Sequence, residues 1–215
     1  MTDNQLQLDV AAELFWDPKV GSAAIAVSAS GRTITLRGTV GSLREKREAK
    51  KAAQRVYGVV VVNDELHVRI LDKDRREDTE LRGDILHALI LDGLIPTTVD
   101  AKVTGGFVTL TGSASWQYQR DEAKFIVANV PGVFGIEDRI KLITSPDGRD
   151  LENDISGAFV RSARLDANGL SVSTSPGTVT LSGVVHSWAE HDEAIAAAWA
   201  APGVTEVHDR IKVEY

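Results

Sequence analysis

Six basic side chains crowd one predicted helix, Arg44, Lys46, Arg47, Lys50, Lys51 and Arg55, with only Glu45 and Glu48 among them. Cations at that density attract an anionic surface, by about 1 kcal/mol for each Lys or Arg near anionic lipid. The plainer role is a solvated helix face laced by Arg44–Glu48 and Glu48–Lys51 pairs. Three aspartates, Asp64, Asp138 and Asp209, each precede the apolar residues of a similar segment. They can face solvent at the entry to a strand, or lend oxygen to a bound cation. Trp116 and Trp188 fall four and five residues past a glycine, as lids over a small core or as interface aromatics, anchors for a membrane or a partner.

Catalytic chemistry finds little to work with. The histidines His67, His87, His186, His191 and His208 form no HExxH or HxH arrangement that would bring two imidazoles to one metal. His186 and His191, five apart across a strand-to-helix turn, read as exposed turn and helix residues. There is no cysteine, no GxSxG and no phosphate-binding loop, and Gly105-Gly106 reads as a hairpin turn. The expectation is a protein that acts by binding, with no enzyme activity, metal or cofactor.

The elements that must carry these residues repeat three times. Thr33-Ile34-Thr35-Leu36-Arg37-Gly38, Val108-Thr109-Leu110-Thr111-Gly112 and Val179-Thr180-Leu181-Ser182-Gly183 are alternating strands that stop at a glycine. Twenty residues on, Gly58-Val59, Gly132-Val133 and Gly203-Val204 each open a closing strand: 62–68, 136–142 and 207–213. Between the two glycines runs a helix whose apolar stripe is Ala49, Ala52, Ala53 and Val56 in the first copy. The same columns hold Ala123, Ile126, Val127 and Val130, then Ala194, Ala197, Ala198 and Ala201. An earlier helix recurs through Val10 and Leu14, Ile85 and Leu89, and Ile155 and Phe159, followed by a short strand near 24–28, 99–104 and 170–174.

Each unit thus reads helix, strand, strand, helix, strand. The predicted fold is α+β, an α/β sandwich of three tandem αββαβ modules, each a small three-stranded mixed sheet covered by two helices. Their bounds are 1–71, 77–144 and 150–215, joined by polar linkers at Leu71–Thr79 and Thr144–Asp150. Gly38, Gly58, Gly112, Gly132, Gly183 and Gly203 are read as structural repeat glycines.

Composition limits the function classes. With 43% hydrophobic and 26% charged residues and a mean hydropathy of −0.10, the chain is an ordinary folded one. A net charge of −7 argues against binding nucleic acid or lipid through the whole surface. That charge is uneven: residues 6–70 carry ten basic and seven acidic side chains, 80–143 six and eight, and 151–214 four and nine. No run approaches the length of about 18 apolar residues that spans a bilayer, and the N-terminus does not read as a signal peptide. A cytoplasmic protein, peripheral at the membrane, is expected.

The αββαβ order, the Val-x-Leu-x-Gly strand, the Ser/Glu-rich helix start at 184–190 and the Gly-Val-x-x-Val-x-Asp/Asn-x-Ile/Leu closing strand resemble the BON domain of bacterial osmotically inducible and secretin-associated proteins. The resemblance covers nearly the whole chain. It implies phospholipid or interface binding in osmotic protection, or, after one cytoplasmic member, potassium binding; it brings no catalytic motif. The partner expected first is anionic phospholipid, met by Arg44, Lys46, Arg47, Lys50, Lys51 and Arg55. The alternative partner is another copy of the chain, the basic first module of one molecule packing on the acidic third module of the next in a homo-oligomer or filament.

Overall fold

At the glycine of each Val-x-Leu-x-Gly pattern a side chain has no room. In modules one and three the antiparallel pairing ends there, but the central strand runs on to Val40 and Val185 instead of stopping at the glycine as expected from sequence. A Cβ on Gly38, Gly112 or Gly183 would collide with the carbonyl oxygen of Ala24, Thr98 or Gly169, and all three glycines have positive φ, between 109° and 131°. Glycine therefore lets the preceding hairpin partner close onto the central strand.

In this computed structural model, residues 2–69, 76–143, 151–162 and 165–215 are described. The linker segments predicted at 71–79 and 144–150 lie outside them, apart from 76–79. Module one runs α1 (Asp3–Trp16), β1 (Ile25–Ser30), β2 (Thr33–Val40), α2 (Leu43–Arg55) and β3 (Val61–Val68). Module two runs α3 (Asp78–Leu91), β4 (Asp100–Thr104), β5 (Phe107–Thr111), β6 (Ser113–Ala114), α4 (Gln117–Ala128), β7 (Gly135–Asp138) and β8 (Lys141–Leu142). Module three runs α5 (Leu151–Arg161), β9 (Leu170–Ser175), β10 (Thr178–Val185), α6 (Trp188–Trp199) and β11 (Glu206–Val213).

Each module has the predicted mixed sheet. The first strand pairs antiparallel with the second, Val27 opposite Leu36, Val103 opposite Val108 and Val172 opposite Leu181. The last strand pairs parallel on the other side, Leu36 opposite Asp64, Leu110 opposite Asp138 and Leu181 opposite Asp209. A parallel neighbour requires a crossover, which the second helix supplies. In module two the closing segment divides into β7 and β8, the latter paired with β6.

One face of each sheet is covered by helices. In module one Leu6, Val10 and Leu14 of α1 and Ala49, Ala52 and Ala53 of α2 close over Ile34, Leu36 and Leu66. In module three Ile155, Phe159, Ala194 and Ala198 close over Val179 and Leu181. Leu81, Ile85, Leu89, Ala123, Val127, Val108 and Leu110 are the corresponding buried residues of module two. By contact density the chain forms two compact units, 1–112 with 120–140, and 113–119 with 141–215.

A carboxylate or amide at the third residue of each second helix fixes its start. Ser42 Oγ accepts from the Glu45 amide at 3.1 Å, while Glu45 accepts from the amides of Gly21 and Gly41, both at 2.7 Å. Glu190 repeats this with Ser187 and the His186 amide at 2.8 Å. In module two Gln119 accepts from Ser115 and Trp116. Modules one and three thus have capping-box starts with a serine cap and a glutamate, whereas module two has only the side-chain acceptor; each satisfies helix-end and loop amides.

Candidate binding surface

The six basic residues of α2 do not act as one set. Lys46 is half-buried; its Nζ donates to the Leu66 carbonyl at 2.5 Å and pairs with Asp64 at 3.5 Å. Arg55 pairs with Glu13 at 2.8 Å and with buried Asp17 at 2.7 Å, joining the last turns of α1 and α2. The Lys19 amide and the Arg55 guanidinium hold the Asp17 carboxyl below its ordinary range. Arg44 lies over the Phe125 ring of module two, 5.9 Å from its centre, and Arg47 donates to the Lys124 carbonyl at 3.3 Å. Lys50 and Lys51 are exposed and have no paired group among the described residues. Glu48 pairs with Lys19 of the preceding loop, at 3.3 Å, in place of the helix neighbours Arg44 and Lys51 expected from spacing.

The repeat aspartates answer to one position of the second helix. Lys46, Arg120 and His191 stand in the same column, separated by the offsets 74 and 71 that separate the glycines. Lys46 meets Asp64, Arg120 meets Asp138 at 2.9 Å, and His191 Nε2 meets Asp209 at 2.8 Å. Each aspartate also accepts from the amide two residues on, Leu66, Ile140 or Ile211, in modules two and three through its other carboxylate oxygen and in module one through the same Oδ1 that faces Lys46. Each aspartate therefore clasps the second helix to the last strand. Among the described residues no cluster of His, Asp and Glu has the makings of a metal site. His191, expected to be exposed, has a side chain only 12% exposed, because the helix sets it against β11.

The two tryptophans are not equivalents. Trp116 falls in the column of Ser42 and Ser187, ahead of its helix, and is 37% exposed. Trp188 is the first residue of α6, half-buried, with its ring edge-on to His191 at 4.9 Å.

The largest exposed apolar groups lie at positions that the sequence pattern did not single out. Phe15 and Trp16, at the end of α1, are 80% and 81% exposed, and Tyr57 just after α2 is 68% exposed. Arg55 holds these two helix ends together, and Lys51 precedes it by one turn. The position recurs: Ile90 and Leu91 end α3 and Val160 stands near the end of α5, all more than 70% exposed. The missed signal was apolar residues continuing beyond the last buried position of each stripe, two places past Leu14 and Leu89 and one past Phe159.

No described helix is long and apolar enough to cross a membrane. Among solved structures, the chain is similar to CdsD, a structural protein of the type III secretion system of Chlamydia trachomatis, at 14% identity and TM-score 0.28, covering 98% of this chain and 92% of that one. It is similar also to the PrgH periplasmic domain, at 10% identity and TM-score 0.25, covering 97% and 100%. Among proteins it is similar to osmotically-inducible protein Y of Escherichia coli strain K12, 33% identical over 146 residues, 66% of this chain and 73% of that protein. The BON domain model matches three times, at residues 2–70, 77–144 and 147–215. With its three αββαβ modules each matched, the chain belongs to the BON domain family.

Proposed function

We propose that this protein acts by binding, without catalysis, at anionic phospholipid surfaces in the response to osmotic stress. The observation that carries the reading is the exposed group of Phe15, Trp16 and Tyr57 where α1 and α2 end, together with the exposed cations Lys50 and Lys51 of α2, which have no paired group among the described residues. Aromatics of this kind lodge at the boundary between headgroups and chains, and nearby cations hold the anionic headgroups. The kinship with an osmotically inducible protein supports the setting. Lys46 and Arg55 are ion-paired within module one, and Arg44 and Arg47, though exposed, contact Phe125 and the Lys124 carbonyl of module two, which supports a reading in which Lys50 and Lys51 contribute most to the attraction.

Flotation with vesicles containing anionic lipid tests this. Binding at low salt is expected, reduced severalfold by Lys50→Gln with Lys51→Gln, and reduced further by Phe15→Ser with Trp16→Ser. Absence of binding to anionic vesicles at low salt, or binding unchanged in both double variants, would overturn it.

A further inference from the structure

The helix-to-strand clasp is built from lysine in module one, arginine in module two and histidine in module three. Lysine and arginine stay charged across the physiological range, whereas imidazole changes charge within it. We propose that module three carries a pH-sensitive clasp, in which protonated His191 fastens α6 to β11 through Asp209 with both ring nitrogens donating and the neutral ring, left with one N–H for two carboxylates, loosens it, while the clasps of modules one and two remain closed throughout.

The surroundings of His191 favour this. On its own helix Asp192 Oδ1 lies 3.3 Å from Nδ1, and from β11 Asp209 Oδ2 lies 2.8 Å from Nε2. β10 carries no ionisable residue, and the charged residues of α5, Glu152, Asp154 and Arg161, make no hydrogen bond to the ring among the described residues. Two carboxylates therefore face both ring nitrogens, and both nitrogens donate only in the imidazolium form. Asp192 and then Asp209 raise the imidazole above its ordinary value, against burial, which lowers it. Module two backs its arginine with a second cation, Lys124 Nζ 3.6 Å from Asp138; the matching residue in module three is Ile195, so among the described residues no second cation backs His191.

The sign follows. A group whose value rises on folding contributes stability that is complete below its unfolded value and is lost as pH rises through its folded value. Module three is therefore tightest in mildly acidic solution and loosens toward alkaline pH.

The test uses the full chain. The His191 ring is titrated by NMR, and hydrogen-exchange protection of 206–213, corrected for intrinsic rates, is compared at about pH 5.5 and about pH 8, which bracket histidine titration. Expected are a midpoint above 6.5 and protection roughly three- to tenfold greater at the acid pH, the span that one net hydrogen bond represents. In His191→Arg, which borrows the module-two residue and keeps His186 and His208, the ratio should fall to near one. A His191 midpoint at or below 6.5, equal protection at both pH values, or an undiminished pH ratio in His191→Arg would each overturn the proposal.

Discussion

Glu45 shows how much one side chain can fasten. Its two oxygens accept from amides of two different loops, at Gly21 and Gly41, while its own amide is capped by Ser42. Glu45→Ala would hand those exposed loop amides to water and remove an acceptor from the helix start, at a cost of about 0.5–2 kcal/mol, the range for loss of a helix cap. Glu45→Gln should cost much less, because Gln119 does the same work in module two with one amide oxygen. Urea melts of the two variants, read by far-ultraviolet circular dichroism, check the order. At this scale the repeat glycines were legible, since only glycine tolerates both the φ and the approach of a neighbouring carbonyl. The partner of the repeat aspartates was not. Lys46, Arg120 and His191 share a position and a positive partner role but not an identity, and matching by identity passes over them.

Elements were legible because two periods coincide in each copy, two residues per turn of pleat and about 3.6 per turn of helix. The closing segment of module two is the exception. A continuous strand over 136–142 was expected, but it divides into Gly135–Asp138 and Lys141–Leu142; the Ile140 amide bond to the Asp138 side chain recurs in the unbroken strands of modules one and three and does not explain the division. The second helices lie close to their sheets because the central column is alanine in every copy, Ala49, Ala123 and Ala194, each fully buried. Enlarging it forces helix and sheet apart. Ala123→Leu should destabilise by about 1–3 kcal/mol, as overpacking a filled core does, whereas Ala128→Ser, at the end of the same helix, should cost less. Thermal melts of the pair read the difference. The exposed apolar ends of α1 and α3 were hidden from sequence for a related reason: a hydrophobic residue at a helix end looks the same whether it turns inward or out.

At the scale of the whole molecule, the uneven charge of the three copies was plain from sequence, but its availability was not. The first copy is net basic and the third net acidic, which alone predicts head-to-tail attraction between molecules. Two of the six cations of α2, Lys46 and Arg55, are ion-paired inside module one, Arg44 and Arg47 are exposed against a ring and a carbonyl of module two, and several acids of the chain are paired, Asp209 and Glu65 among them. What is left to attract a second copy is a few exposed charges. Exposed pairs are worth about 0–1 kcal/mol each, against about 4 kcal/mol or more for the freedom lost on association. Screening decides the rest: the Debye length falls from about 30 Å at 0.01 M salt to about 8 Å at 0.15 M. The chain is therefore expected to sediment as a monomer at physiological salt up to about 50 µM, a concentration that would reveal micromolar association, and to gain mass only in very dilute salt. Equilibrium sedimentation at the two ionic strengths distinguishes this from a stable ring or filament, which would persist in both.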